Sequence, residues 1–235
     1  MDAKNVLAKL AACGSAQTRK TYSRHGVQGP MFGVSYQDLG RLKKTIKTDH
    51  PLAMELWASG NHDARILATM IADPTKMTGP IIDRWLKEID NHVQGSAFSN
   101  LVAGSPLALK KAEKWRASKK ELVSCCGWDV TSRLALRDQE NGEKLASGLD
   151  DALFAPLVEV IEKEIHTAPN RTRYAMNQTL IAIGVRSDKL RKLALAAAKR
   201  IGKVEVDHGD TSCKTPDAAA YIAKTVAHRA KKPIC

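Results

Sequence analysis

The sequence predicts an all-α chain in which antiparallel helix pairs stack into a curved α-solenoid. Three observations lead there. Apolar residues recur at helical spacing along nearly every segment, and the segments, about 10–15 residues long, are joined by short polar turns. Strand-like patterning is confined to Lys203-Val204-Glu205-Val206, too short for a sheet. Trp57, Trp85 and Trp115 recur 28 and 30 residues apart, each near a helix end, a spacing close to that of stacked helix pairs. Pairs that cannot bury their faces alone must stack on neighbours, and the build expected is therefore HEAT-like. An irregular helical bundle is the alternative.

The elements follow in order. Met1-Asp2-Ala3-Lys4 opens directly into a short amphipathic helix. Ser35 with Asp38 makes a capping-box-like start, and Leu39, Leu42 and Ile46 then share one face while Arg41, Lys43 and Lys44 lie largely off it. Gly60 or Asn61 starts the next helix, with Ala64, Leu67, Ala68 and Ile71 inward and Asp73-Pro74 ending it. Thr78-Gly79-Pro80 opens another, carrying Ile81, Ile82, Trp85 and Ile89. Ser105-Pro106 places proline at a first helical position of a helix running to Trp115. Leu157, Val158, Ile161 and Ile165 stripe a later helix, and Leu190, Leu193, Ala194, Ala197 and Ile201 the next. The reading is a single helical-repeat domain over residues 1–235. Within it, about 203–235 form a C-terminal turn and capping helix, and Asn141–Asp151 is a loop or insertion.

Composition narrows the partner. A chain of 235 residues can bury a sizeable core as one large domain or two small ones. Its 43% hydrophobic and 26% charged residues exclude low-complexity disorder. Lys and Arg number 37 against 25 acids, a net charge of +12. Such an excess favours nucleic acid, an anionic membrane surface or an acidic protein. No apolar run approaches the roughly 20 residues of a membrane span, and no secretory signal precedes the first helix. Five cysteines without a CxxC pair (Cys13, Cys125, Cys126, Cys213, Cys235) fit free thiols in a reducing cytoplasm.

Chemistry concentrates in the last third. Arg171 and Arg173 begin a helix, where backbone N–H groups and arginines together suit phosphate; ion pairs with Glu162 or Glu164 are the other reading. Arg41, Lys43 and Lys44 form a basic run suited to phosphate or to a solvated face. Within Val206-Asp207-His208-Gly209-Asp210-Thr211-Ser212-Cys213-Lys214, His208 and Thr211 brace the turn or touch phosphate, and Lys214 joins the expected DNA contacts. Asp207, His208 and Cys213 lack the Cys/His partner pair of a zinc site, so no metal is expected. Thr215-Pro216-Asp217 reads as an N-cap, a first-position proline and a first-turn acid. No GxSxG motif and no Gly-rich phosphate loop occurs.

An ordered set of anchors carries a resemblance. It comprises Gly33-Val34 before a Leu/Arg/Lys helix and Glu55-Leu56-Trp57 followed by Asp63-Ala64-Arg65. Lys114-Trp115-Arg116-Ala117-Ser118 and Arg173-Tyr174-Ala175-Met176-Asn177 complete it. Over roughly residues 30–205 the chain resembles the AlkD-like DNA alkylation repair proteins of HEAT-like repeats. The resemblance implies a stack of helices whose basic concave face grips duplex DNA, alkylated or damaged, and a protein that works as a monomer without cofactor or metal. In catalytic members tryptophans flank an aspartate, an arginine lies nearby, and positively charged N3- or N7-alkylated purines are released. The carboxylate there favours the cationic sugar of an oxocarbenium-like transition state.

This sequence departs from that pattern at the reacting centre. On the helix expected over Glu88–Gln94, Asp90 takes the tryptophan place and Gln94 the aspartate place. Cys125 falls near the arginine position and Gln178 on a second aromatic position. Asp90, Gln94, Cys125 and Gln178 are therefore the cleft candidates, and a neutral amide cannot supply a carboxylate's charge. Three functions stay open: a DNA glycosylase for N3/N7-alkylated purines, a non-catalytic DNA-structure binder, and a helical scaffold for a protein partner.

Overall fold

Side-chain caps decide where most of the helices begin. The computed structural model describes residues 1–137 and 149–231. Among these residues lie thirteen α-helices and two short 3-10 turns, with no strand; residues 203–206 have no regular secondary structure. Contacts divide the chain into two compact units, Met1–Ala108 with His208–Ser212 and Leu109–Asp207 with Cys213–Cys235. Of the loop expected at Asn141–Asp151, residues 141–148 lie outside the described residues, as does Cys235.

The first unit holds α1 (Ala3–Cys13), α2 (Ala16–Arg24), α3 (Tyr36–Ile46), α4 (His50–Ala58), α5 (His62–Ile71), α6 (Gly79–Glu88) and α7 (His92–Ala103). Asp2, Ser15, Ser35, Asp49, Asn61 and Asn91 each accept a hydrogen bond from a first-turn N–H, as short polar side chains at this position do. The capping-box reading of Ser35 and Asp38 holds: Asp38 N–H donates to the Ser35 hydroxyl, which donates to the Asp38 carboxylate. One boundary differs from expectation. Glu88–Gln94 is not one helix, because α6 stops at Glu88, Ile89 is extended, and Asn91 caps a new helix by accepting from Gln94 N–H at 2.9 Å.

The core of this unit is built on helices about thirty residues apart. Trp57 of α4 and Trp85 of α6 stack with centroids 4.0 Å apart and planes 3° from parallel, and Phe98 of α7 tilts against both. The 28-residue interval between Trp57 and Trp85 seen in the sequence thus joins a stacked pair in this unit. Pro106 does not start a helix; a turn held by the Ser105 hydroxyl precedes α8 (Ala108–Arg116).

The second unit continues with α9 (Glu121–Arg137), α10 (Ala155–Glu164), α11 (Asn170–Gly184), α12 (Asp188–Ile201) and α13 (Ala218–Ala230). Helices α9 and α11 run parallel with a constant register. Thr172 donates to the Glu121 carbonyl, Thr179 to that of Trp128 and Arg186 to that of Ala135, each pair 51 residues apart. Gly127 permits the approach of α8: a Cβ there would lie 2.4 Å from Arg116 N. Two expectations fail here. Leu193 is 42% exposed rather than on the buried stripe of α12. Asp217, not Thr215, caps α13 by accepting from Ala220 N–H at 2.7 Å, so Pro216 precedes the cap and lies two residues before the first helical residue, Ala218.

Candidate nucleic-acid interface

The anchors that resemble the repair family serve the fold. Asp63 is fully buried at the start of α5, and its carboxylate accepts from the N–H groups of Phe32, Gly33 and Val34 at 2.6, 3.0 and 2.8 Å. Gly33 adopts φ +79° there, and its α-carbon passes so close to α2 that a Cβ would meet Ser15 O at 2.6 Å. Arg65 lies over the Trp57 ring at 5.2 Å and donates to the carbonyls of Glu88 and Trp57, while Trp57 Nε1–H donates to the Glu88 carboxylate. The open cavity beside them is lined by Glu55, Glu88, Arg65 and Arg84. Arg65 and Glu88 are already engaged with each other there.

Of the cleft candidates in the first unit, Gln94 is 2% exposed in the first turn of α7. Its amide Nε2 stands 3.2 Å from His62 Nδ1. With the amide donating, the imidazole is neutral and carries its proton on Nε2. Burial holds His62 below the usual histidine range, with Asp63 and Asp90 pulling the other way. Among the described residues His62 Nε2 and Gln94 Oε1 are buried without a hydrogen-bond partner, and the Tyr22 ring lies edge-on to His62 at 5.1 Å. Asp90 does not stand in a tryptophan's place on a helix face. It is exposed in the break before α7, where its carboxylate accepts from the Asn91 amide at 2.6 Å.

In the second unit, Cys125 is buried on α9, and burial together with Asp129 pushes its thiol well up. Gln178 is half-buried on α11 and hydrogen-bonded to Tyr174 one turn earlier. Burial also raises Tyr174. Asp129, one turn after Cys125, is half-buried and its carboxyl is pushed up to about 6 by desolvation, against the pull of Arg133. The structure therefore brings Cys125 and Gln178 into one polar face together with Asp129 and Tyr174. His62 and Asp129 were not singled out in the sequence. Asp129 stands one helical turn from the Cys125 candidate, the only signal the sequence holds for it.

The basic residues divide by what already engages them. Arg41 pairs with Asp38 at 2.8 Å on an exposed face, and Lys43 and Lys44 are exposed in the last turn of α3, where cations also suit the helix dipole. Arg171 N–H donates to Glu121 Oε1 at 2.7 Å, and its side chain is half-buried near Cys125. No ion pair joins Arg171 to Glu162 among the described residues; Glu162 binds Arg200 instead. Arg173 donates to the carbonyls of Glu205 and Ala168 at 2.8 and 3.0 Å, so its guanidinium ties α11 to the chain around it. His208 is half-buried with its carbonyl accepting from Thr211, and Lys214 is exposed. Asn170 and Asp207 exchange two hydrogen bonds of 2.7 Å that tether the start of this turn. Among the described residues no three potential ligands cluster to hold a metal, and no helix is long and apolar enough to cross a membrane.

Comparison with known proteins gives these observations a context. Residues 6–222 match the family described as DNA alkylation repair enzyme. An uncharacterized protein of Listeria innocua is 32% identical over 92% of this chain and 93% of its own, and one of Listeria monocytogenes is 30% identical over the same shares. A solved structure superposes with a TM-score of 0.86 at 30% identity, covering 97% of this chain and 95% of its own. It is described as belonging to a new family of proteins related to the HEAT-like repeat DNA glycosylases with affinity for branched DNA structures. The all-helical, HEAT-like build expected from the sequence is the one found. With a match along nearly its whole length, the chain belongs to the DNA alkylation repair enzyme family.

Proposed function

We propose that this chain is a DNA-binding protein of the alkylation-repair type that recognises branched DNA and does not excise a base. One observation carries the second half of that reading. Where the resemblance places the catalytic aspartate stands Gln94, a buried amide turned onto His62. A departing cationic base and an oxocarbenium-like sugar need a fixed negative charge. Loss of a single such electrostatic contact commonly lowers rate by about 10²–10³. Asp90 does not replace it, because it lies outside α7, exposed and bonded to Asn91.

Binding needs less. A net charge of +12 supplies attraction to any phosphate backbone. The affinity for branched DNA described for the solved relative supplies the preference. Arg41, Lys43, Lys44, Arg171 and Lys214 are the side chains we assign to phosphate contact.

The test uses the full chain with a three-way DNA junction, a linear duplex of the same sequence and a duplex bearing one N7-methylguanine. We expect tighter binding to the junction and no freed base above the uncatalysed rate. Equal affinity for junction and linear duplex would refute the structural preference. Robust release of N7-methylguanine, lost in Gln94→Ala, would restore the glycosylase reading.

A further inference from the structure

Several buried or half-buried carboxylates among the described residues are held by hydrogen bonds. Asp63 accepts three backbone N–H groups, Glu121 accepts Arg171 N–H, and Asp151 binds Arg186 and Ser187. Asp129 differs. It is half-buried on α9, no hydrogen bond reaches its carboxylate among the described residues, and its counter-charge is Arg133 one turn later. An ionised carboxylate has acceptor capacity for about four hydrogen bonds. A desolvated one that the protein leaves unsatisfied is unfavourable for the fold.

The surroundings define what could satisfy it. Parallel packing of α9 on α11 sets the Cys125/Asp129 row beside the Tyr174/Gln178 row, each pair one turn apart on its helix. Tyr174 feels the charges of Asp129, Arg171 and Cys213, and Cys125 those of Asp129, Glu121 and Arg171. An aromatic ring, an amide and an unsatisfied acceptor thus converge, with Arg133 and Arg171 at the margins. A phosphate is repelled by Asp129. A metal ion needs three or more ligands, and no such group exists among the described residues. What remains is a flat group bearing N–H donors.

We propose that this face of the second unit is a recognition site for one unpaired nucleobase of branched DNA, with Asp129 accepting from the base's N–H groups, Tyr174 supplying the stacking surface and Gln178 a second polar contact. The inference rests on the DNA-binding reading and sharpens it. In a continuous duplex the base faces are stacked and the pairing edges are taken, whereas a branch point leaves bases splayed for stacking and edge contacts. Asp129 therefore works as a selector: it disfavours backbone phosphate and favours a base edge. Guanine, with adjacent N1–H and N2–H donors, suits a carboxylate better than thymine, which offers N3–H alone.

The experiment measures affinity at pH 7.5 for three-way junctions that differ only in one unpaired branch nucleotide: guanine, thymine or an abasic site. Wild type should prefer guanine over thymine by about tenfold, the scale of one good bidentate contact. Asp129→Asn, isosteric, should bring guanine and thymine within twofold of each other and bind linear duplex at least as well as wild type. Tyr174→Ala should erase the difference between a base and an abasic site. Lowering the pH to 5 should remove the guanine preference of wild type but leave Asp129→Asn unchanged. Tight junction binding that ignores the branch nucleotide would overturn the base site while leaving the DNA reading intact. Absence of junction binding by wild type would overturn both.

Discussion

Replacing Asp63 with alanine tests whether the strongest anchor of the first unit is structural. The carboxylate is fully buried and holds three consecutive N–H groups, of Phe32, Gly33 and Val34. Hydrogen bonds to a charged group contribute about 1.5–3 kcal/mol each, and a buried donor left unpaired is penalised by a similar amount. Phe32 N–H is only part-buried and can find water after the change. Gly33 and Val34 N–H are buried and cannot. The expected loss is therefore about 3–5 kcal/mol, which for a chain of this size corresponds to roughly 10 °C in Tm. Urea unfolding followed by tryptophan emission and far-UV circular dichroism measures it, and amide exchange reports protection at residues 32–34. Asp63→Asn should recover little, because its amide turns donors toward donors. A loss below about 1 kcal/mol with residues 32–34 still protected would refute the reasoning.

Three further outcomes follow from the same geometry. Gly127→Ala should destabilise by about 2–3 kcal/mol in a thermal or urea melt, since the new methyl would lie 2.4 Å from Arg116 N and 2.7 Å from the Trp115 carbonyl carbon and must push α8 from α9. Asp129 binds its proton more tightly folded, at about 6, than its ordinary value of 3.8. Its stabilising share is therefore complete below the lower value and lost as pH rises through the upper one. Relative to Asp129→Asn, wild-type stability should fall by about 3 kcal/mol across that window, read by denaturation at each pH. Affinity for junction DNA should drop steeply between low and moderate salt through counterion release, and an affinity indifferent to salt would favour a protein partner instead.

The class of fold and most helix starts are legible from local sequence alone. Apolar spacing and capping residues act within three or four positions, so Ser35, Asn61 and the tryptophan period could be read without knowing any contact. Capping also explains where the boundaries depart from expectation: Asn91 splits the expected Glu88–Gln94 helix, and Asp217 rather than Thr215 caps α13. That Gln94 carries no charge was legible too, since an amide lacks a carboxylate's charge in any setting. What surrounds it was not. That Gln94 faces His62, that Arg173 ties down two carbonyls, and that Asp129 stands beside Tyr174 without a hydrogen bond are facts of packing between residues dozens of positions apart. Burial and the partner across the interface set the protonation and freedom of such groups. Both arise only when α9 and α11, or α5 and α7, come together.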